Sequence, residues 1–247
     1  MAQIQVPTKD STNKWTGQYV DCAASGLGAV ALGIGTVASG DGSFAAGEGS
    51  KAFGPHSVAL GLNTITGDLD GSLSGSPRSG KGAIALGTNS HAFGPYSLAF
   101  GENCQAFHVC SIALGKTSIN KGQSSIAIGY NINITENAPY SIALGRDCQI
   151  DTAEGAFVAG RDNHVKSNYT VALGMNNKIL ATGSVALGRD NLIASKYSVA
   201  LGYNNQLGVV NEQGEAIADL YSTIALGYKN IVQANYACAL GVELQVF

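Results

Sequence analysis

The sequence predicts an all-β fold: a parallel β-roll solenoid of about 14 coils that associates with copies of itself. Three observations lead to this prediction. A five-residue word of the form Ser-Val-Ala-Leu-Gly recurs along the chain, and nine of the thirteen intervals between its closing glycines are 14 residues. Only 13% of residues are charged, whereas 45% are hydrophobic. Self-similarity at a fixed period is the signature of a solenoid, and this hydrophobic content is too high for a disordered chain.

The repeated word ends in glycine at every occurrence. It stands at residues 29–33, 43–47, 57–61, 83–87, 97–101, 111–115, 125–129, 141–145, 156–160, 170–174, 184–188, 198–202, 223–227 and 237–241. Fourteen residues cannot hold a strand and a helix, but they suit two short strands and two tight turns. We expect the word to form the first strand of each coil, with its glycine where a positive φ or a close backbone approach is needed.

The second strand of each coil is expected about five residues after the glycine. The residues at that register are Ala92, Ala106, Ile134, Ile150, Val165, Ile179, Ile193, Leu207 and Val232. Two residues after the glycine, a turn residue that tolerates left-handed geometry is expected. These turn residues are Asn63, Asn89, Asn103, Asn131, Asp147, Asp162, Asn176, Asp190 and Asn204. Coils stacked in parallel about 4.8 Å apart pair their backbones with their neighbours.

The repeated word also predicts which side chains share a face. Its first and third apolar residues lie on one face of the strand, and the alanine lies on the other. We predict that the Val/Ile and Leu columns fill the interior, and that the alanine column faces outward and lets another copy approach closely. The expected interface of a homotrimer is formed by Ala59, Ala85, Ala99, Ala113, Ala127, Ala143, Ala172, Ala186 and Ala200. A threefold axis is favoured because a roll of two short sheets has a wedge-like cross-section. The alternative is a monomeric solenoid in which alanine only fills space.

The Ser-Val/Ile-Ala-Leu/Ile-Gly unit at a 14-residue period resembles the head repeat of YadA-type trimeric autotransporter adhesins. The resemblance covers roughly residues 29–241, and it implies a left-handed parallel β-roll that trimerises. In that family a signal peptide precedes the head, and a neck, a coiled-coil stalk and a membrane barrel follow it. The sequence shows none of these. The same head module occurs in bacteriophage fibre proteins, which are made in the host cytosol, and we expect that setting here.

Several segments lie outside the repeat domain of residues 25–241. Residues 1–24 are expected to cap the open end of the solenoid or to anchor the chain to other virion proteins through Trp15 and Tyr19, and one segment can do both. Residues 242–247 are expected to form a closing strand. Within the repeat, residues 66–81 read as a Gly/Ser-rich loop and residues 208–221 as a β-hairpin. Insertions in solenoids often map to a binding face, although loop extensions are also tolerated without a function.

A column of aromatic residues stands immediately before the repeated word. Its members are Tyr96, Tyr140, Tyr169, Tyr197 and Tyr236, with His56 at the same register. Such a column can stack on the sugars of a cell-surface glycan, or it can seal a turn or a subunit seam. The candidate contacts to a host cell-surface glycan or protein are Tyr96, Tyr140, Tyr169 and Tyr197, together with Asn211, Glu212 and Gln213 of the predicted hairpin.

The sequence contains few features that indicate catalysis or ligand binding. It contains no nucleophile elbow, phosphate loop, zinc motif or paired carboxylates, so we predict no enzymatic activity and no cofactor. His91 and His164 share a register but stand five coils apart, so we predict no metal site. The net charge of −3 provides no basic face for nucleic acid or an anionic membrane. A Gly-Arg-Asp triplet after three of the words predicts local ion pairs, namely Arg146–Asp147, Arg161–Asp162 and Arg189–Asp190.

The sequence therefore predicts a structural, trimeric fibre protein of a bacteriophage virion, on the head as a capsid decoration or on the tail, with host-surface binding as a further role. The first residues lack the apolar core of a signal peptide, and no run is long enough to span a membrane. Five cysteines without metal-type spacing fit a protein made in the reducing host cytoplasm. The alternative is a bacterial surface adhesin, the passenger head of an autotransporter. A third hypothesis is a polysaccharide-degrading tail spike.

Overall fold

The computed structural model describes residues 22–68, 79–217 and 219–247, and the backbone of Thr8–Lys9 and Trp15–Thr16. In these ranges every regular element is a β-strand and there is no helix. The strands build a parallel β-solenoid of about 15 turns, which confirms the predicted all-β coil architecture. The chain divides into two compact units, the N-terminal unit of residues 1–118 and the C-terminal unit of residues 119–247.

The N-terminal unit alternates five-residue strands with two-residue strands. The long strands are Val30–Ile34, Phe44–Glu48, Val58–Leu62, Ile84–Thr88, Leu98–Glu102 and Ile112–Lys116. The short strands are Ala23–Ala24, Val37–Ala38, Lys51–Ala52, Ile65–Thr66, His91–Ala92 and Gln105–Ala106. Each long strand pairs in parallel with the long strand of the next coil, and each short strand does the same. The repeated word therefore forms the long strand, as predicted.

The C-terminal unit has the same construction. Its long strands are Ile126–Tyr130, Ile142–Arg146, Phe157–Arg161, Val171–Met175, Val185–Arg189, Val199–Tyr203, Ile224–Tyr228 and Cys238–Val242. Its short strands are Ile119–Asn120, Asn133–Ile134, Gln149–Ile150, His164–Val165, Lys178–Ile179, Leu192–Ile193, Gln206–Leu207, Ile231–Val232 and Gln245–Val246. Equivalent residues of successive words lie opposite each other, for example Ala186 opposite Ala200. The strand predicted for the final residues is present as Gln245–Val246, paired with Ile231–Val232.

Both insertions leave the ladders intact. Val58–Leu62 pairs directly with Ile84–Thr88, although the first insertion separates them in sequence. Residues 69–78 of the predicted loop lie outside the described residues. Val199–Tyr203 pairs with Ile224–Tyr228 across the second insertion. Neither insertion therefore interrupts the pairing of the long strands on either side of it.

The two turn positions of the coil have the predicted left-handed backbone. Gly188 has a φ of 121°, and a Cβ atom added there would lie 2.1 Å from the carbonyl oxygen of Gly202 in the next coil. Glycine is therefore required both for its backbone conformation and for the close approach of the next coil. Two residues later, Asp190 has a φ of 55°. Aspartate and asparagine tolerate this conformation because their short polar side chains bond locally.

The described backbone near the N-terminus forms a small antiparallel pair. Thr8–Lys9 pairs with Trp15–Thr16. The side chain of Trp15 and all of Tyr19 lie outside the described residues, so the predicted anchor stays a prediction.

Candidate functional site

The alanine column of the long strands lies inside each unit. In the N-terminal unit the fully buried alanines include Ala59, Ala85, Ala99 and Ala113, and in the C-terminal unit they include Ala127, Ala143, Ala172, Ala186 and Ala200. They pack in the cores of their units, where Ala186 shares a cluster with Ile193 of a short strand. The predicted assignment of faces is therefore wrong. These alanines cannot form a subunit interface, because their side chains are already covered by their own chain.

The narrow interior explains why the faces are reversed. In the C-terminal unit each coil places one long strand opposite one short strand, and the short strands already contribute large side chains such as Ile179 and Ile193. Alanine on the facing long strand fills the remaining space, whereas a leucine there would overpack it. The larger apolar residues of the word therefore point outward.

Two apolar columns cover the outward face of the long strands, which we call the outer long-strand face. In the C-terminal unit the first column is Ile126, Ile142, Phe157, Val171, Val185, Val199, Ile224 and Cys238, and the second is Ile128, Leu144, Ala159, Leu173, Leu187, Leu201, Leu226 and Leu240. In the N-terminal unit the columns are Val30, Phe44, Val58, Ile84, Leu98 and Ile112, and Leu32, Ala46, Leu60, Leu86, Phe100 and Leu114. All of these residues are half-buried or exposed. A contiguous apolar surface of this kind marks an interaction site.

A third interior column, three residues after the closing glycine, carries hydrogen-bond donors that the sequence prediction missed. In the C-terminal unit it is a ladder of buried asparagines, Asn163, Asn177, Asn191, Asn205 and Asn230. From Asn177 onward, each side-chain amide donates to the amide oxygen of the previous asparagine at 3.0 Å. It also donates to the carbonyl of the closing glycine in the next coil at 2.9–3.0 Å.

In the N-terminal unit, smaller side chains donate to the equivalent glycine carbonyls. Ser50 Oγ donates to the Gly61 carbonyl at 2.8 Å, and Ser90 Oγ donates to the Gly101 carbonyl at 3.0 Å. A buried carbonyl without a partner is costly, so a donor at this register stabilises the coil that has one. The recurrence of Ser, Thr and Asn at one register was the signal from which the column could have been predicted.

The predicted aromatic column lies at the corner where the chain enters each long strand. Tyr96 of the N-terminal unit, and Tyr140, Tyr169, Tyr197 and Tyr236 of the C-terminal unit, have φ values of 54–56°. Their side chains are exposed, from 57% at Tyr96 to 81% at Tyr236. The Tyr169 hydroxyl hydrogen-bonds to the Glu154 carboxylate, which raises the pKa of Tyr169. His56 has the same backbone conformation in the N-terminal unit.

The second insertion folds as the predicted β-hairpin. Val210 pairs antiparallel with Ala216, and the Asn211 amide donates to the Glu215 carbonyl at 2.9 Å. Glu212 and Gln213 at its tip are exposed. Two lysines hold the hairpin to the coils, because Lys178 Nζ donates to the Gly214 carbonyl at 2.8 Å and Lys196 Nζ lies 2.7 Å from Asp219 Oδ1. The hairpin tip and the tyrosine column both remain candidate contacts to a host surface.

The three predicted Arg–Asp pairs form in solvated turns. Their shortest Nε–Oδ2 distances are 2.8 Å for Arg146–Asp147, 3.1 Å for Arg161–Asp162 and 2.9 Å for Arg189–Asp190. The Asn131 amide and then Arg146 lower the pKa of Asp147 by hydrogen bonding to its carboxylate. Pairs this exposed contribute little to stability. They keep the turn surface polar and offer no catalytic arrangement.

The histidines and cysteines have structural surroundings. His91 packs beside Phe93, with ring centroids 5.3 Å apart, and burial lowers the pKa of His91. His164 Nε2 lies 2.8 Å from Asp151 Oδ2. The described residues contain no group of three or more His, Cys, Asp or Glu side chains that could hold a metal ion. All five cysteines are free; Cys22, Cys104 and Cys148 are buried, and Cys110 and Cys238 are exposed.

Comparison with protein families supports the resemblance drawn from the repeated word. The family model described as the YadA head domain repeat (2 copies) matches residues 24–47, 38–64, 79–103 and 111–131. Residues between 24 and 131 are therefore similar to YadA head repeats, whose β-solenoid is a structural, adhesin-type fold. No relative is found among curated proteins. Among the described residues, no helix is long and apolar enough to cross a membrane.

Proposed function

We propose that this chain, whose residues 24–131 match YadA head repeats, is a structural fibre protein that assembles as a homotrimer through its outer long-strand faces and presents adhesive surfaces. The outer long-strand face is the observation that carries the proposal. It is apolar at two positions in every coil of both units, and the interior of each unit is already filled without it. A lone chain would leave this surface in water.

Burial of that face supplies the driving force for association. Transfer of apolar surface out of water contributes roughly 25 cal/mol per Å², and the columns extend along every coil. Phe100 and Leu240 are 53% and 61% exposed in the single chain. The trimeric state itself follows from the resemblance to YadA-type heads. Three copies of each surface loop would then be presented together, which raises the strength of a weak individual contact by avidity.

Assembly is tested by the mass of the native protein in light scattering and native mass spectrometry. The unmodified chain is expected at three times the mass of one chain. A variant with Leu187→Asp and Leu201→Asp is expected to dissociate, because two charges would be buried in each contact. Leu192→Asp is the matched control, since Leu192 is also half-buried and belongs to the same coil as Leu187 but lies on a short strand. A stable monomer of the unmodified chain at micromolar concentration contradicts the proposal.

For the biological setting, we propose a bacteriophage virion, on the head or the tail, with synthesis in the host cytoplasm. Five free thiols support this setting, since two of them are exposed and such groups persist best in a reducing compartment. Residues 1–24, through Trp15 and Tyr19, are proposed to dock the fibre onto other virion proteins. The alternative remains a bacterial surface adhesin.

Antibody labelling in electron microscopy distinguishes the two settings. Labelling of purified phage particles, and its loss when residues 1–21 are deleted from the phage-encoded chain, is the expected result. Labelling confined to the surface of bacterial cells would support the adhesin instead.

A further inference from the structure

The tyrosine column of the C-terminal unit alternates large and small residues from one coil to the next. In order, the column reads Ser124, Tyr140, Gly155, Tyr169, Gly183, Tyr197, Ser222 and Tyr236. Backbone hydrogen bonds of 2.8–3.0 Å define this register, because each amide from Tyr140 onward donates to the carbonyl just before the equivalent position of the preceding coil. The four tyrosines therefore form a row, here called the tyrosine row, with one ring on every second coil.

Steric contact explains the alternation. The ring of each tyrosine leans toward the small residue of the preceding coil. A Cβ atom added at Gly183 would lie 2.5 Å from Cδ1 of Tyr197, and one added at Gly155 would lie 3.2 Å from Cδ1 of Tyr169. Rings on adjacent coils would compete for this space. The packing therefore keeps neighbouring rings two coils apart.

Folding alone does not explain why tyrosine occupies these positions. All four have φ values of 54–56°, a conformation that bulky side chains rarely adopt. Asparagine or aspartate occupies most of the left-handed corners two residues after the closing glycine and would be accommodated here at lower cost. The rings also remain 57–81% exposed, so little burial offsets the strain. Residues held in strained conformations and left exposed are candidates for a binding role.

The spacing of the row suggests its ligand. Two coils span about 10 Å at the stacking distance of parallel strands, and two sugars of an extended β-1,4-linked chain advance by nearly the same length. Aromatic side chains present a broad apolar surface with a polar tip, which suits the apolar face of a sugar ring and its hydroxyls. Half-buried polar side chains stand immediately before the column, among them Glu154, Asn168 and Lys196, and can bond to sugar hydroxyls.

We propose that the tyrosine row binds a linear β-1,4-linked polysaccharide, with one ring stacked on every second sugar. This inference rests on the proposed adhesive function and names the ligand class. Single-stranded nucleic acid also stacks on aromatic residues, but its backbone needs a positively charged groove. Beside the row, Glu154 and Lys196 carry opposite charges, and Asp219 pairs with Lys196 at 2.7 Å, so a neutral glycan fits this surface better.

Calorimetric titration of the native protein with cellohexaose and chitohexaose tests the proposal. Binding of at least one hexasaccharide is expected. Tyr169→Asn and Tyr197→Asn remove rings while keeping a residue that tolerates the left-handed backbone, and each is expected to weaken binding about fivefold to tenfold, with the double variant abolishing it. Tyr203→Ala is the matched control, because Tyr203 is an exposed tyrosine of the C-terminal unit outside the row. It is expected to leave binding unchanged.

The native mass of every variant is measured in parallel. Lost binding at unchanged mass supports the proposal. No binding of either hexasaccharide, or unchanged binding by the double variant, overturns it. A fall in mass caused by Tyr169→Asn and Tyr197→Asn also overturns it, since the rings would then belong to a subunit seam. Failure of the proposed trimer is recognised separately, as a monomeric mass of the unmodified chain.

Discussion

At the scale of single residues, the least expected feature is the buried amide ladder of the C-terminal unit. Asn191 shows how one side chain connects three coils. Its amide group donates to Asn177 Oδ1 and to the Gly202 carbonyl, both at 3.0 Å, and its oxygen accepts from the backbone and side-chain amides of Asn205. Buried polar groups in a fully bonded network favour one arrangement over its alternatives. The ladder therefore helps hold the register of the coils.

Replacement of Asn191 tests this role. Asn191→Ala leaves the amide of Asn205 and the carbonyl of Gly202 with fewer partners in the interior, and we expect a loss of about 3 kcal/mol in the free energy of unfolding. Asn191→Ser is expected to lose less, because serine serves the equivalent carbonyl in the N-terminal unit. Urea unfolding at one fixed protein concentration measures both. Equal effects of the two substitutions would show that the bond to Gly202 is unimportant.

His91 predicts a pH dependence of stability. Burial lowers the pKa of its side chain below the ordinary value of 6.5, and this effect outweighs the hydrogen bond to the Asn63 backbone, which raises it. The unfolded chain therefore binds a proton at a higher pH than the folded chain, so stability falls as the pH drops below about 6.5. We expect His91→Gln to lose less stability than the unmodified chain between pH 7.5 and pH 5.5 in urea unfolding. An identical loss in both proteins would contradict this expectation.

Among the elements, the long strand combines three structural roles, each carried by different residues of its five. Its alanine fills the core, its first and third residues form the outer long-strand face, and its glycine lets the next coil approach closely. Cys238 takes the first of these outward positions in the last long strand. Its thiol is therefore a reporter of whether the outer long-strand face is covered.

Thiol labelling uses this reporter. Burial raises the pKa of Cys104 and Cys148, and the thiolate is the reactive form, so neither should react quickly at neutral pH. In the assembled protein we expect one fast thiol per chain, that of the exposed Cys110. The variant with Leu187→Asp and Leu201→Asp should show two, since Cys238 becomes accessible. If an assembled trimer shows two fast-reacting thiols per chain, Cys238 is exposed in it. The subunit contact then does not cover the outer long-strand face. Full unfolding in urea should reveal all five and serves as the control.

At the scale of the whole molecule, each coil depends mainly on its immediate neighbours, as in other solenoids. This explains why two long insertions are accommodated without interrupting either ladder. It also explains how the corner column can carry tyrosine rings without any change in the residues of the other columns. Each column contacts mainly its own members in the neighbouring coils. The packed interior of the coils thus leaves the corners and insertions free to acquire binding roles.

The coil was predictable from the residues alone, with its period, its two strands, its glycine turns and the left-handed corners at residues such as Asn89 and Asp162. These features follow from the local geometry of the backbone, which a repeated word reveals directly. The hairpin around Asn211 was predictable for the same reason, since its turn residues and flanking apolar pieces are close in sequence.

Which face of the long strand is the interior depends on packing between strands that are not neighbours in sequence. Alternation assigns Val185 and Leu187 to one face and Ala186 to the other, but it does not say which face is buried. In the C-terminal unit that choice depends on the narrow space between opposing strands, where large short-strand side chains such as Ile193 leave most coils room only for a small residue such as Ala186. The bond of Asn191 was not predicted either, because the Gly202 carbonyl that accepts it belongs to the next coil and only the recurrence of polar residues at this register pointed to it.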